Sequence, residues 1–162
     1  LLIQTWWEKW ILVPVVVWLL IFSGGLDILR LFNWDLNKIP MYAVEELVLA
    51  EQVRIETQPN DVFLTSDRHN HPIPNLTGRQ ILMGYRGWLW TYGINDQQRA
   101  ADVKNLFELP AFSQELFDTY SLDYVVIGPS ERHSYAVDES FYRENFEVFY
   151  EGEGYVVFEV GE

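Results

Sequence analysis

From Trp10 to Leu26 the chain reads WILVPVVVWLLIFSGGL, seventeen residues without a charge. At 1.5 Å per residue such a run makes roughly 25 Å of helix, and apolar residues on both sides extend it toward the thickness of a hydrocarbon core, about 30 Å. Trp6, Trp7 and Trp10 crowd one end and Phe32 and Trp34 the other, where amphipathic rings favour a membrane interface. A buried core helix would show a more polar face. A secretory signal would open on a net basic segment, whereas Glu8 and Lys9 cancel here. The segment is therefore expected to be a membrane helix. Lys9 on one side and Arg30 and Lys38 on the other do not fix its orientation. With Leu1-Leu2 at its start, the sequence reads as the tail of a longer polypeptide with further membrane helices before it.

The formal charge of -13 is unevenly spread. Glu8, Asp27 and Asp35 balance Lys9, Arg30 and Lys38, so residues 1–40 sum to zero and the whole excess lies in residues 41–162. An acidic domain of this kind repels a nucleic-acid backbone, and no nucleic-acid partner is expected. The chain has no cysteine, which removes disulfides and thiolate metal sites.

Residues 41–162 alternate between helical and strand patterns. Helices are expected over Ala43–Thr57, Asp96–Leu109, from Pro110 through Tyr120, and near Glu139–Glu144. Strands are expected at Asp61–Thr65, Gln80–Gly84 and Asp123–Gly128. A terminal hairpin of Phe146–Tyr150 and Tyr155–Val160 is joined through Glu-Gly-Glu-Gly. The pattern implies one transmembrane helix and linker (1–40), followed by a three-layer Rossmann-like α/β domain (41–162). Its sheet is expected to be mostly parallel, with an antiparallel C-terminal hairpin.

The densest chemistry lies in HNHPIPNLTGRQILMGYRGWLWTYG, residues 69–93. It follows the carboxyl end of the first expected strand, where open α/β sheets form ligand crevices. His69, His71 and Asp67 are metal-ligating types, but no further ligand stands at a suitable spacing and no metal site is read. Arg68, Arg79, Arg86 and Arg99 against Asp67 and Asp96 leave residues 66–99 at +2, so the rest of the domain stands at -15. That local excess fits an anionic ligand or a lipid headgroup, or arginines neutralised by neighbouring carboxylates. Tyr85, Trp88, Trp90 and Tyr92 suit a sugar platform, a membrane interface or a core; for at least two of the four the core is expected. His69, His71, Arg86 and Trp88 are expected to line one crevice, buttressed by Arg79 or Arg99. No dinucleotide fingerprint, phosphate loop or nucleophile elbow is present. No acid–base pair is evident, so no catalytic residue is assigned.

That stretch, with Ile94 and Arg99 after it, resembles a carboxy-terminal block of multi-spanning bacterial membrane proteins of the GT-C class of glycosyltransferases, including the family related to protein mannosyltransferases. FSGGLDILRLF resembles their last-helix exit, and DYVVIGPSER and YEGEGYVVFEV their closing strands. The resemblance implies a transferase using a lipid-phosphate-linked sugar, with the soluble domain extracytoplasmic. Its catalytic acids and metal ligands would lie in an early loop that this segment does not contain. His69, His71, Arg79, Tyr85, Arg86, Trp88 and Arg99 would then contact ligand or lipid, shaping or capping the membrane-side site. No cofactor is expected within the segment, and the implied partners are membrane lipid and preceding transmembrane helices. The alternative is a non-enzymatic, membrane-anchored binding or assembly module.

Overall fold

The computed structural model describes residues 4–32 and 37–161. The chain divides into two compact units, Leu1–Met41 and Tyr42–Glu162. In the first, one helix, α1 (Gln4–Leu31), contains the apolar segment Trp10–Leu31, long and apolar enough to cross a membrane. The large apolar side chains from Trp10 to Leu31 are exposed on all sides, and Trp18 stacks on Phe22 at 4.7 Å between ring centroids. Pro14 lies well inside α1, where its ring removes one backbone hydrogen bond. The Trp6 and Trp7 side chains and all of Trp34 lie outside the described residues.

The second unit is built on a five-stranded mixed sheet. Its strands are β1 (Val62–Leu64), β2 (Gln80–Ile81), β3 (Tyr124–Ile127), β4 (Glu147–Gly152) and β5 (Tyr155–Glu159), ordered β2-β1-β3-β5-β4. The first three are mutually parallel; β5 runs antiparallel to β3, and β4 antiparallel to β5. The antiparallel hairpin closes through Glu153 and Gly154, with Gly154 at φ 82°, a left-handed conformation that favours glycine. The helices are α2 (Val44–Glu56), α3 (Arg86–Thr91), α4 (Gln97–Glu108), α5 (Glu115–Tyr120), α6 (Pro129–Ser134) and α7 (Glu139–Asn145).

Period-two alternation gives the sheet two buried faces. Phe63, Tyr124, Val126, Tyr155 and Val157 pack with Leu49 and Val53 of α2 and with Ile73. Leu64, Val125, Ile127, Val156 and Phe158 pack on the other face with Val103, Leu106 and Phe107 of α4, Phe117 of α5 and Tyr142 of α7. Every residue of β3 is buried, which accounts for its continuous apolar run.

Several boundaries differ from the sequence expectation. β2 ends at Ile81 rather than Gly84: the Leu82 N–H still donates to the Phe63 carbonyl at 3.0 Å, but Leu82 and Met83 then turn into the core. The helix expected from Pro110 is split into a 3-10 turn, Pro110–Phe112, and α5. Residues 86–91 and 129–134, read without a helix, are helical, and Ile73–Thr77 forms a π-helical turn.

Side chains from distant elements close the helix ends. Pro110 has no N–H to offer Leu106, and the Tyr142 hydroxyl donates to the Leu106 carbonyl at 2.6 Å. Arg79 closes α2 in the same manner, donating to the carbonyls of Arg54 at 3.0 Å and Thr57 at 2.7 Å. Tyr142→Phe is expected to leave a buried carbonyl unpaired and to cost about 1–3 kcal/mol. Chemical denaturation of residues 42–162 measures this.

Candidate functional site

β1 and β3 are adjacent and parallel, but the chain leaves them in opposite directions. The connection from β1 leads to β2 at one edge of the sheet, and that from β3 leads through α6 and α7 to β4 at the other. Such a divergence opens a crevice at the carboxyl ends of the strands. Here a carboxylate holds it together. Glu131, on the first turn of α6, is fully buried. Its Oε2 accepts from the Gly128 N–H at 2.9 Å, reaching back over the start of its own helix. Its Oε1 accepts from the Ser66 N–H at 2.8 Å and the Ser66 hydroxyl at 2.5 Å, crossing from β3 to the end of β1. His71 Nε2 lies 3.1 Å from the same oxygen, and Ser66 Oγ lies 2.8 Å from Ser130 Oγ.

The hydrogen bonds assign the His71 tautomer. Nδ1 accepts from the Ile73 N–H at 3.3 Å, so Nε2 carries the proton and donates it to Glu131. Burial by itself raises the Glu131 pKa. The hydrogen bonds from His71 and Ser66 outweigh that effect and hold it well below the ordinary carboxylate range. This is a Ser, His and Glu group, but the carboxylate stands between serine and histidine. The imidazole therefore makes no hydrogen bond to Ser66 Oγ, and the geometry differs from a nucleophile–base–acid relay. Every partner is internal, with His71 only 1% exposed.

A second buried acid lies on α2. Burial raises the pKa of Glu46, on α2, but the Ala43 N–H at 2.9 Å and Arg68 at 2.6 Å bring it below the usual value. The Tyr155 hydroxyl adds a bond at 3.1 Å. Arg68 is thereby fastened to α2 and, through Nε, to Asn70 at 3.3 Å. Tyr135 stands near Glu131 and Asp67; burial first, and then those carboxylates, push its phenol up to about 12. Among the described residues, Thr65 Oγ1 is the buried side-chain polar atom without a partner.

The expected crevice residues divide into three groups. His69 meets the helix α3: its ring is 5.1 Å from Tyr85 and 4.7 Å from Trp88 in edge contacts, and Tyr85 and Trp88 lie 5.9 Å apart. His71 turns inward to Glu131 instead of joining them. The arginines are engaged singly: Arg86 with Asp96 at 2.5 Å, Arg79 with the end of α2, and Arg99 with the Leu82 carbonyl at 3.4 Å and over the Tyr120 ring at 5.3 Å. Arg99 and Tyr120 border a separate cleft of about 490 Å³ beyond β2, with Leu89, Ile94 and Asp96.

The expectation that at least two of Tyr85, Trp88, Trp90 and Tyr92 belong to the core is overturned, because all four are exposed. The inward position of α3 is taken by Leu89, leaving the rings on its outer side. Among the described residues no group of three or more His, Asp or Glu is placed to hold a metal ion. Glu131, Ser66, Ser130, Glu46 and Tyr155 were not foreseen as a polar network. The sequence signal for Glu131 is GPSE after a buried strand, with proline at the first helical position and glutamate at the third. No protein-family model and no curated protein matches the sequence.

Glu131→Ala is expected to strand two amides and the His71 N–H and to cost about 3–5 kcal/mol at pH 7. The folded Glu131 pKa lies below its ordinary 4.5, so its stabilisation is complete above that pH and is lost as pH falls through the lower folded value. Denaturation of the variant against pH should show a flatter acid limb. Trp88→Ala should cost under about 1 kcal/mol in the same measurement, since the ring is outside the core; about 3–5 kcal/mol would place it inside.

Proposed function

We propose that this chain is a membrane-anchored accessory domain of a GT-C-like glycosyltransferase that uses a lipid-phosphate-linked sugar. In this reading α1 sits in the bilayer, and the α/β unit, Rossmann-like in the β2-β1-β3 order of its parallel strands, is extracytoplasmic. It shapes or caps the membrane-side site and leaves bond breaking to other parts of the enzyme. The observation that carries the accessory role is the saturation of the Ser66–Glu131–His71 group. The carboxylate accepts four hydrogen bonds from within the protein, so it offers substrate neither a free base nor an acidic proton. The glycosyltransferase class rests on the sequence resemblance, and the membrane location on the helix Trp10–Leu31.

The same saturation also favours the alternative, a non-enzymatic membrane-anchored binding or assembly module. Activity separates the two. Residues 42–162 alone should transfer no sugar from a polyprenyl-phosphate donor, and detectable transfer would overturn the accessory role. In the complete membrane protein, His69→Ala and Trp88→Ala should leave the fold intact but lower transfer roughly ten- to a hundredfold, the effect of a misplaced positioning contact. A complete protein without transferase activity would assign the chain to the module instead.

A further inference from the structure

We propose that the α3 segment seats its exposed aromatic rings in the headgroup–acyl boundary of a phospholipid bilayer, giving the α/β unit a second membrane contact besides α1. The inference rests on the reading that α1 spans a bilayer.

The display is rigid. Leu89 anchors α3 to the core, and the helix ends in a motif that fixes its last turn. The Gly93 N–H donates to Trp90 at 3.0 Å, the Ile94 N–H donates to Leu89 at 2.9 Å, and Gly93 has φ 70°. The outward side chains are apolar and large: Trp88 is 53% exposed, Trp90 81%, Tyr92 80% and Ile94 53%. Rings with a polar N–H or O–H tip suit a boundary that is apolar on one side and wet on the other.

Charge selects a lipid surface and this face of the unit. Between Asp67 and Asp96 the sequence has no acidic residue, whereas the remainder of the domain is strongly acidic. Arg86, half exposed at the start of α3 beside the rings, is paired with Asp96, so no unbalanced negative charge stands next to them. An anionic leaflet would repel the acidic remainder of the domain and meet no such excess at this segment. Chain length keeps the encounter local, because the ten residues 32–41 span at most about 35 Å even when fully extended.

The chain has no cysteine, so a single introduced thiol reports one position. The full chain is placed in phosphatidylcholine–phosphatidylglycerol vesicles as Thr91→Cys, which retains every ring, as Trp90→Cys, and as Glu153→Cys at the β4–β5 turn. Each carries an environment-sensitive fluorophore. The labels at 91 and 90 are expected to shift to the blue, to be quenched by lipids brominated near the headgroup and to be shielded from aqueous iodide. The label at 153 should respond to iodide alone. If the labels at 91 and 90 behave like that at 153, the bilayer contact is refuted. Shielding from both quenchers refutes it as well and indicates a protein covering the rings. An alkaline wash separates this failure from that of the underlying reading: protein retained in the vesicles with iodide-accessible labels overturns only the α3 contact, and protein washed out overturns the membrane anchor itself.

Discussion

The carboxylate of Glu131 is the interaction on which the carboxyl edge of the parallel strands depends. Two parallel strands whose connections diverge leave backbone amides and loop side chains at their carboxyl ends with few neighbours. One buried acid supplies acceptors to the loops of both strands, to Ser66 after β1 and to Gly128 after β3. A buried charge is tolerable only when it is hydrogen-bonded on every side, and this one is. Gly128 is part of the same construction: a Cβ there would overlap the Tyr155 ring, so glycine admits the close packing of β5 against the start of α6.

Fixing Ser66 and His71 also fixes what lies between them. Arg68 is held against α2 by the buried Glu46, and the His69 ring reaches Tyr85 and Trp88. The buried polar network and the exposed aromatic surface are thus two sides of one short loop. Inward groups set its path, and outward groups are presented to whatever the domain meets. That division of labour supports a positioning role, because the buried Glu131 and His71 are engaged in holding the loop.

Much of the framework was legible in the sequence. The uncharged run produced the expectation of α1, and the continuous apolar run at residues 123–128 located β3, buried on both faces. The terminal hairpin followed from two aromatic strands around Glu-Gly-Glu-Gly. The misses have definite physical causes. Three glycines, Gly84, Gly87 and Gly93, surround the tryptophans, but of these only Gly93 has a positive φ, and a short helix fits between it and Gly84. Composition places a tryptophan near apolar surroundings without distinguishing core from interface, so the outward rings of α3 were read partly as core. His69 and His71 stand two apart and were assigned to one crevice, but the π-helical turn that begins at Ile73 draws His71 inward. The cross-strand role of Glu131 was hidden because the partners that create it, Ser66 and His71, lie sixty or more residues away. No local pattern records such a pairing.

Amide hydrogen exchange at Ser66 and Gly128, in residues 42–162, tests the central claim most directly. If Glu131 is a permanent clamp, both amides should exchange only through global unfolding, at the same free energy as the amides of Val125 and Val126 in β3. Exchange at Ser66 and Gly128 through a low-energy local opening, with β3 still protected, would contradict it. The acid would then be released to solvent while the domain stays folded, and Glu131 and His71 would be open to substrate.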